Sequence, residues 1–485
     1  MQLPVLNSMI RSIQADIPDL RGVVFVCVQH LLHTSIDIFQ GILRLGADPR
    51  NIFLLGKQYS NCPSVIDKAH SLGIQIQKST PLEELGEYES VFNADITKMW
   101  NKVREHIQNN SGKIDKIIVL DDGGSCLKLF PKDIAQSFPS VGVEQTTAGI
   151  MQLDSLNLAH AYIDVATSAA KSLEADMVAN ALINKLSSKL PELKSNTRCG
   201  IVGMGFIGTA VAKKLISLGY NVCLYDSDQT INANLKRENR FNTSNVEPKK
   251  NNIRQIRKTT SQISWKESLH ELKNIKQVDN KVIWSENLNT LMQSSNYIFG
   301  CTGSDFTKCL DIENNIQGEK YFISCTSEDK EFLSVLKYIK KNSSKTNWHP
   351  LDDIHWRLLN KNFHLIKGGF PCNFDNSGTS VPANDIQLTR ALILGALIQA
   401  VVSLPNYRRN ALRNKVMLDP NIQKFVVLEW DKVRERNVFS STKNIMKFQD
   451  NNWIMQNSGG IFYKLPFFST YFKVNEDTVA NTHAG

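Results

Sequence analysis

Residues 199–208 read Cys199-Gly200-Ile201-Val202-Gly203-Met204-Gly205-Phe206-Ile207-Gly208, near the middle of a 485-residue chain. The short apolar run Gly200–Val202 leads into G-x-G-x-x-G, and Ala210, Val211, Leu215 and Ile216 then recur at helical spacing. Strand, turn and helix in that order form the cradle that a dinucleotide pyrophosphate needs. Gly203 serves the tight turn, Gly205 lets the backbone approach the diphosphate, and Gly208 permits close helix–strand packing. The first helical turn, with Phe206 and Ile207, offers its N–H groups to the anion. The helix closes at Gly219 and a second apolar strand covers Asn221–Tyr225. Asp226 ends that strand about 20 residues past the turn, where a carboxylate holds the adenosine ribose hydroxyls. Such a carboxylate repels a 2′-phosphate, so the expected cofactor is NAD rather than NADP.

Length and composition frame the rest. A chain of 485 residues predicts several domains, each large enough for its own core. An apolar content of 42% with 21% charged residues places it among globular proteins. The early apolar run Gly22–Val28 is too short for a signal sequence and lacks a basic segment before it. Ala391–Leu404 is apolar but only 14 residues long, with Arg390 in front, and reads as a buried helix. No targeting element, no membrane partner and a cytoplasmic location are therefore expected. Nine scattered cysteines without a C-x-x-C pair fit buried thiols in a reducing compartment, with no metal site. Between Lys236 and Lys281 twelve Lys/Arg stand against five Asp/Glu, so most of the formal net charge of +9 comes from one segment. That Asn-rich stretch reads as a solvated insertion, residues 232–281. It has few interleaved aromatics, which argues against a nucleic-acid partner.

Before the glycine turn, strand-like and helix-like segments alternate. Gly22–Gln29, Asn51–Leu55, Asp115–Leu120 and Val141–Val143 read as strands, and Thr34–Leu45, Ser64–Leu72 and Lys102–Gln108 as helices. Alternation of this kind predicts a parallel sheet covered on both faces, with ligands at the carboxyl ends of the strands. Three polar clusters fall there: Gln29-His30, Asp121-Asp122, and Glu144 to Thr147. Ala159–Leu190 reads as one long amphipathic helix linking to the next domain. After the insertion, Tyr297–Phe299 runs into Gly300-Cys301-Thr302-Gly303, a small-residue loop suited to lie near the cofactor. Beyond Pro405 the composition shifts, and a turn at Asn457–Gly460 predicts a hairpin of 453–456 with 461–464.

Several of these stretches together resemble the S-adenosylhomocysteine hydrolases. The matching pieces are Gln29-His30 with the helix up to Leu45-Gly46-Ala47, Leu120-Asp121-Asp122-Gly123-Gly124, Thr146-Thr147 with Gly149, Lys171-Ser172, the glycine turn with Asp226, Thr302-Gly303, and Asn373. They span about residues 25 to 400 in the family's order. The resemblance implies an α/β fold of two doubly wound parallel-sheet domains: a substrate-type domain over 1–190, completed by about 374–405, and a Rossmann NAD-binding domain over 191–373. Residues 406–485 are expected as a separate appendage.

The resemblance also implies a chemistry: a retained NAD oxidises a ribose 3′-hydroxyl, a base removes the acidified 4′-hydrogen, a thiol leaves, water adds and the ketone is reduced. It implies a nucleoside-like substrate, a homo-oligomer and a place in one-carbon metabolism. His30, Asp122 and Lys171 stand where the family has its histidine near the leaving group, its sugar-binding aspartate and its lysine at the 3′-hydroxyl. Thr146, Thr147, Thr302, Gly303 and Asn373 stand at cofactor positions. Other positions depart: Gln145 replaces a sugar-binding glutamate, Ala175 and Asp176 replace the lysine's aspartate and asparagine partners, and Glu328 stands near an expected histidine. Ser380-Val381-Pro382 replaces a Gly-His-Pro motif, and the family's C-terminal tail is not recognisable. Two readings stay open, a divergent NAD-dependent enzyme and an NAD-binding regulator or scaffold without hydrolase activity.

Overall fold

The computed structural model describes residues 3–187, 197–227, 282–343, 348–358, 360–375, 377–407, 415–434, 445–458 and 466–472. The basic insertion 232–281 and the second arm of the expected hairpin, 461–464, lie outside them. The chain forms two compact units: residues 1–81, 89–177 and 374–485 in the first, and 82–88 and 178–373 in the second.

The first unit is built on a seven-stranded sheet. Its strands in chain order are β1 (Val23–Gln29), β2 (Ile52–Gly56), β3 (Gln75–Gln77), β4 (Lys116–Asp121), β5 (Ser140–Glu144) and β6 (Ala161–Asp164), and a seventh comes from near the C-terminus. β1 is buried along its whole length, as a strand covered on both faces must be, and its run of Val, Phe and Cys has no polar alternation. All pairings are parallel, and the order places β1 between β2 and β4. The sheet reverses its winding at β1/β4, the position at which folds of this kind gather ligands. The long helix Ala383–Tyr407 covers this sheet, and 94% of its apolar window lies inside the fold. It passes for a membrane span by length and composition, but it is the core helix of this unit.

The second unit carries β7 (Arg198–Val202), β8 (Asn221–Tyr225), β9 (Val282–Trp284), β10 (Tyr297–Gly300), β11 (Gly318–Ser324), β12 (Ile354–Leu358) and β13 (Lys361–Leu365). The order is β12-β13-β11-β10-β7-β8-β9, parallel except for the β12–β13 hairpin at one edge. β7 and β10 are neighbours, with Val202 opposite Gly300, so the glycine turn and the Cys301-Thr302-Gly303 loop leave the sheet side by side. The α/β class with two parallel-dominated, doubly wound sheets agrees with the sequence reading.

Three expectations are corrected. Ala159–Leu190 is not one helix. Residues 161–164 form β6, because Tyr162 and Ile163 continue the pairing of Gly142 and Val143, and the helix begins only at Glu174. The carboxylate of Asp164 ends the strand by accepting from the Thr167 N–H at 2.9 Å and from its hydroxyl. Tertiary pairing overrides the Ala-rich helix propensity here. Nor is 406–485 a separate appendage. Lys415–Met417 forms β14, parallel to β6, and the helix Pro420–Val433 buries Ile422, Phe425, Val426 and Trp430 in the first unit. Finally, 453–456 lie in a helix, Asn451–Gln456, capped by Asp450, and not in a hairpin arm.

Candidate functional site

In the second unit the glycine turn has the geometry its spacing demands. Gly203 adopts φ +93°, and a Cβ there would stand 2.7 Å from the Cys301 carbonyl oxygen. A Cβ on Gly208 would stand 1.8 Å from the Gly203 carbonyl oxygen, so any side chain at either position drives turn, helix and neighbouring loop apart. A Cβ on Gly205 would meet nothing within 4 Å, which leaves room for a diphosphate against the backbone. Phe206 opens the helix Phe206–Ser217, whose first-turn N–H groups have no intrahelical acceptor. The Asp226 carboxylate accepts from the Met204 N–H at 2.7 Å and so stands over the turn, where a ribose would lie. Phe206 and Ile207 are half-buried on the helix's first turn. Turn, open face, helix terminus and carboxylate all fit a dinucleotide.

Thr302 and Gly303 are placed by a residue the sequence reading missed. Glu331 is fully buried and accepts from the Thr302 N–H at 2.8 Å, the Gly303 N–H at 2.6 Å, and the hydroxyls of Thr302 and Thr326. Burial pushes its pKa up, and these four donors oppose the shift. The loop is therefore rigid, but its two N–H groups point to Glu331. Asn373 is buried in the same unit. Glu328 takes a left-handed conformation, φ +73°, and pairs with Lys330.

The first unit gathers its polar residues by strand register. Gln29 lies opposite Gly56, Cys27 opposite Leu120, and Asp121 opposite Glu144. The residues one step further on, His30, Lys57, Asp122 and Gln145, therefore share one edge. Asp122 is 2% exposed. Its Oδ1 lies 2.7 Å from the fully buried Lys57 Nζ, its Oδ2 lies 3.4 Å from His30 Nε2, and the Gln145 amide donates to Oδ2. Burial alone would raise the Asp122 carboxyl, but Lys57 and His30 outweigh it and hold the group well below the usual carboxylate range. His30 is fixed by Ser60 at 2.6 Å on Nδ1 and by stacking on Phe374 at 4.2 Å.

The two other buried acids of this edge are structural. Asp121 accepts from the Leu127 N–H at 2.8 Å, and Glu144 accepts from the N–H groups of Gly123 and Thr146. Burial pushes Asp121 up to about 7 and also raises Glu144 well above the usual carboxylate range. In Asp-Asp-Gly-Gly the first aspartate shapes the turn and the second faces the edge. Thr146 caps the helix Thr147–Asp154, its hydroxyl bonding Glu144 and the Gly149 N–H, while Thr147 is exposed.

Lys171 lies in the turn Ala170–Leu173 after β6. It pairs with Glu174, three residues on, and neither Ala175 nor Asp176 takes that part. Burial pushes the Lys171 amine down to about 7, against the opposing field of Asp122. His30 and Asp122 thus meet, and Lys171 stands within reach of the same carboxylate's field. Lys57, Glu174 and Arg390 were missed. Lys57 directly follows a parallel strand, Glu174 stands at i+3 from a lysine, and Arg390 interrupts an apolar helix, so each left a signal.

The second unit is thus an NAD-binding Rossmann domain. Residues 198–289, from β7 through the glycine turn and β8, match the NAD-binding domain of 3-hydroxyacyl-CoA dehydrogenases. An uncharacterised protein of Mycobacterium tuberculosis, found in strains CDC 1551 / Oshkosh and ATCC 25618 / H37Rv, is 25% identical over 393 residues. That alignment covers 80% of this chain and 66% of the relative, so the chain spans just under two thirds of the relative's length. Among solved structures, the TT0316 protein of Thermus thermophilus is 11% identical over 77% of this chain and 97% of its own, with a TM-score of 0.31. The NAD-complexed D-isomer specific 2-hydroxyacid dehydrogenase of Lactobacillus delbrueckii ssp. bulgaricus is 10% identical over 66% of this chain and 76% of its own, with a TM-score of 0.26. Whole-chain scores this low give those two likenesses no functional weight.

Proposed function

We propose that the chain is a divergent relative of the S-adenosylhomocysteine hydrolases, an enzyme that uses NAD on the 203–208 turn to oxidise a hydroxyl of a nucleoside-like substrate. The observation that carries this reading is Asp122, a carboxylate at the carboxyl end of a parallel sheet, buried among Lys57, His30 and Gln145. NAD, when bound, supplies the hydride acceptor. The chain's own residues position the hydroxyl and move its proton. Asp122 accepts a hydrogen bond from a substrate hydroxyl, and Lys171, with an amine that is half neutral near pH 7, takes a proton. His30 stands ready to serve a leaving group. Gln145 carries no charge where the family has a glutamate, so ordinary adenosylhomocysteine hydrolysis is not the expected activity.

The test uses freshly purified protein. Denaturation should release NAD in stoichiometric amount, and a nucleoside panel should give a signal for reduced cofactor at 340 nm. NAD without any reduction across the panel would favour the second reading, an NAD-binding regulator that has lost the reaction. One observation supports that alternative: both Asp122 oxygens are occupied within the protein, and Lys171 is tied to Glu174.

A further inference from the structure

The helix Ala383–Tyr407 is apolar around one cation. Leu388, Ala391, Leu392, Ile393 and Leu394 are fully buried, and Arg390 among them is 4% exposed. Of its five N–H donors, one has a partner among the described residues: Nε donates to the Thr34 hydroxyl at 3.4 Å. Thr34 follows His30 by four residues. The charges whose fields reach the guanidinium are Asp122, Asp37 and Lys171. Among the described residues none of these is an ion-pair partner of Arg390: Asp122 is already held by Lys57 and His30, and Lys171 is a like charge. Burial pushes Arg390 down to about 10, so it stays charged at neutral pH. A buried guanidinium without a carboxylate partner is unfavourable in the folded chain alone, and a fork of free donors matches an oxyanion in two-point geometry.

The geometry points to Arg390 as the specificity residue for an oxyanion, a carboxylate or a phosphate, carried by the hydroxylated substrate of the first unit. This deepens the proposed function and rests on reading the β1/β4 edge as a substrate site. Asp122 addresses a hydroxyl, while Arg390 pairs the charge, so acidic or phosphorylated sugars and nucleotides should be preferred over neutral nucleosides.

The experiment is calorimetric binding to NAD-saturated protein of two matched pairs, ribose with ribose 5-phosphate and glucose with glucuronate, which separate phosphate from carboxylate as the source. At least one anionic member should bind about tenfold or more tightly than its neutral partner, a difference of roughly 1.4 kcal/mol. Arg390→Gln should abolish that preference. Arg390→Lys keeps the charge but loses the fork, so it should keep part of the preference. It also decides the matter if the glutamine variant fails to fold. Equal binding within both pairs, no binding of either anion, or full preference in either variant overturns the inference. Because the readout is binding, absence of NAD reduction would sink the proposed redox function and leave this inference standing.

Discussion

The glycine turn of the second unit and the strand-end edge of the first are both ligand cradles, but they are assembled in opposite ways. The turn is local: Gly203, Gly205 and Gly208 lie within six consecutive residues, and Asp226 closes it one strand later. Each glycine is required by a backbone approach, 2.7 Å at Gly203 and 1.8 Å at Gly208. The edge of the first unit draws His30, Lys57, Asp122, Gln145, Lys171 and Arg390 from six separate places along the chain, and their meeting depends on strand register. A local site can be recognised by pattern and is lost by one clash. A dispersed site is tuned by charges that separate parts of the chain supply.

The sharpest way to break the comparison is at the turn. Gly208→Ala puts a methyl on the Gly203 carbonyl, and purified protein should carry NAD only at background level after denaturation while the first unit stays folded. Retention of stoichiometric NAD would mean that the cofactor is not held by this turn. At the dispersed site the largest expected effect is kinetic. Asp122→Asn should lower turnover of whichever nucleoside-like substrate gives the 340 nm signal by about 10²–10⁴. An unchanged rate would move Asp122 from chemistry to structure.

The next effect is on stability. Lys57→Met leaves Asp122 buried without its cation, which should cost about 3–5 kcal/mol in denaturant unfolding. Combining it with Asp122→Asn should recover much of the loss, because no uncompensated charge remains. Simple additivity of the two would show that they do not act as a pair.

A milder effect is the pH dependence. Lys171 works as a base only when neutral, so the rate should rise with pH through about 7 and level off above it. Lys171→Arg should remove that limb. A limb that persists would belong to Asp121, which also titrates near 7.

The smallest effect concerns Asp37, 5% exposed, whose carboxyl burial pushes up to about 6. A raised acid pKa means that the folded state holds the proton more tightly than the unfolded state. The penalty is absent below pH 3.8, grows as pH rises towards 6 and is complete above it. Asp37→Asn should therefore gain up to about 3 kcal/mol at pH 8 and nothing at pH 3.5, by thermal unfolding. An equal gain at both pH values would exclude titration as the cause.

Much of the second unit's site was legible in the sequence, because short-range backbone requirements leave fixed spacings. Glu331 was not, although it positions Thr302 and Gly303, since its link to them runs across 28 or 29 residues. In the first unit His30 and Asp122 were visible as strand-end polar residues, while Lys171 came only from the family resemblance. Their partners were not. Lys57 looks like an ordinary loop lysine until register brings it 2.7 Å from Asp122, and Arg390 looks like the boundary of an apolar helix until that helix packs over the sheet. Residues 159–190 and 406–485 were misread for a related reason: β6 and β14 are short strands set by pairing with distant segments, β6 with β5 and β14 with β6.

By itself the sequence determined the α/β class, the glycine turn with its NAD preference, and the buried character of the apolar run Ala391–Leu404. Those follow from residue-level rules: glycine spacing, a terminal carboxylate, and unbroken apolar runs. Tertiary structure alone decided that Lys57, His30 and Gln145 hold Asp122, and that the C-terminal segment completes the first sheet. Those outcomes rest on parallel pairing between distant strands and on where burial leaves a charge without water, and neither is written in any single stretch of chain.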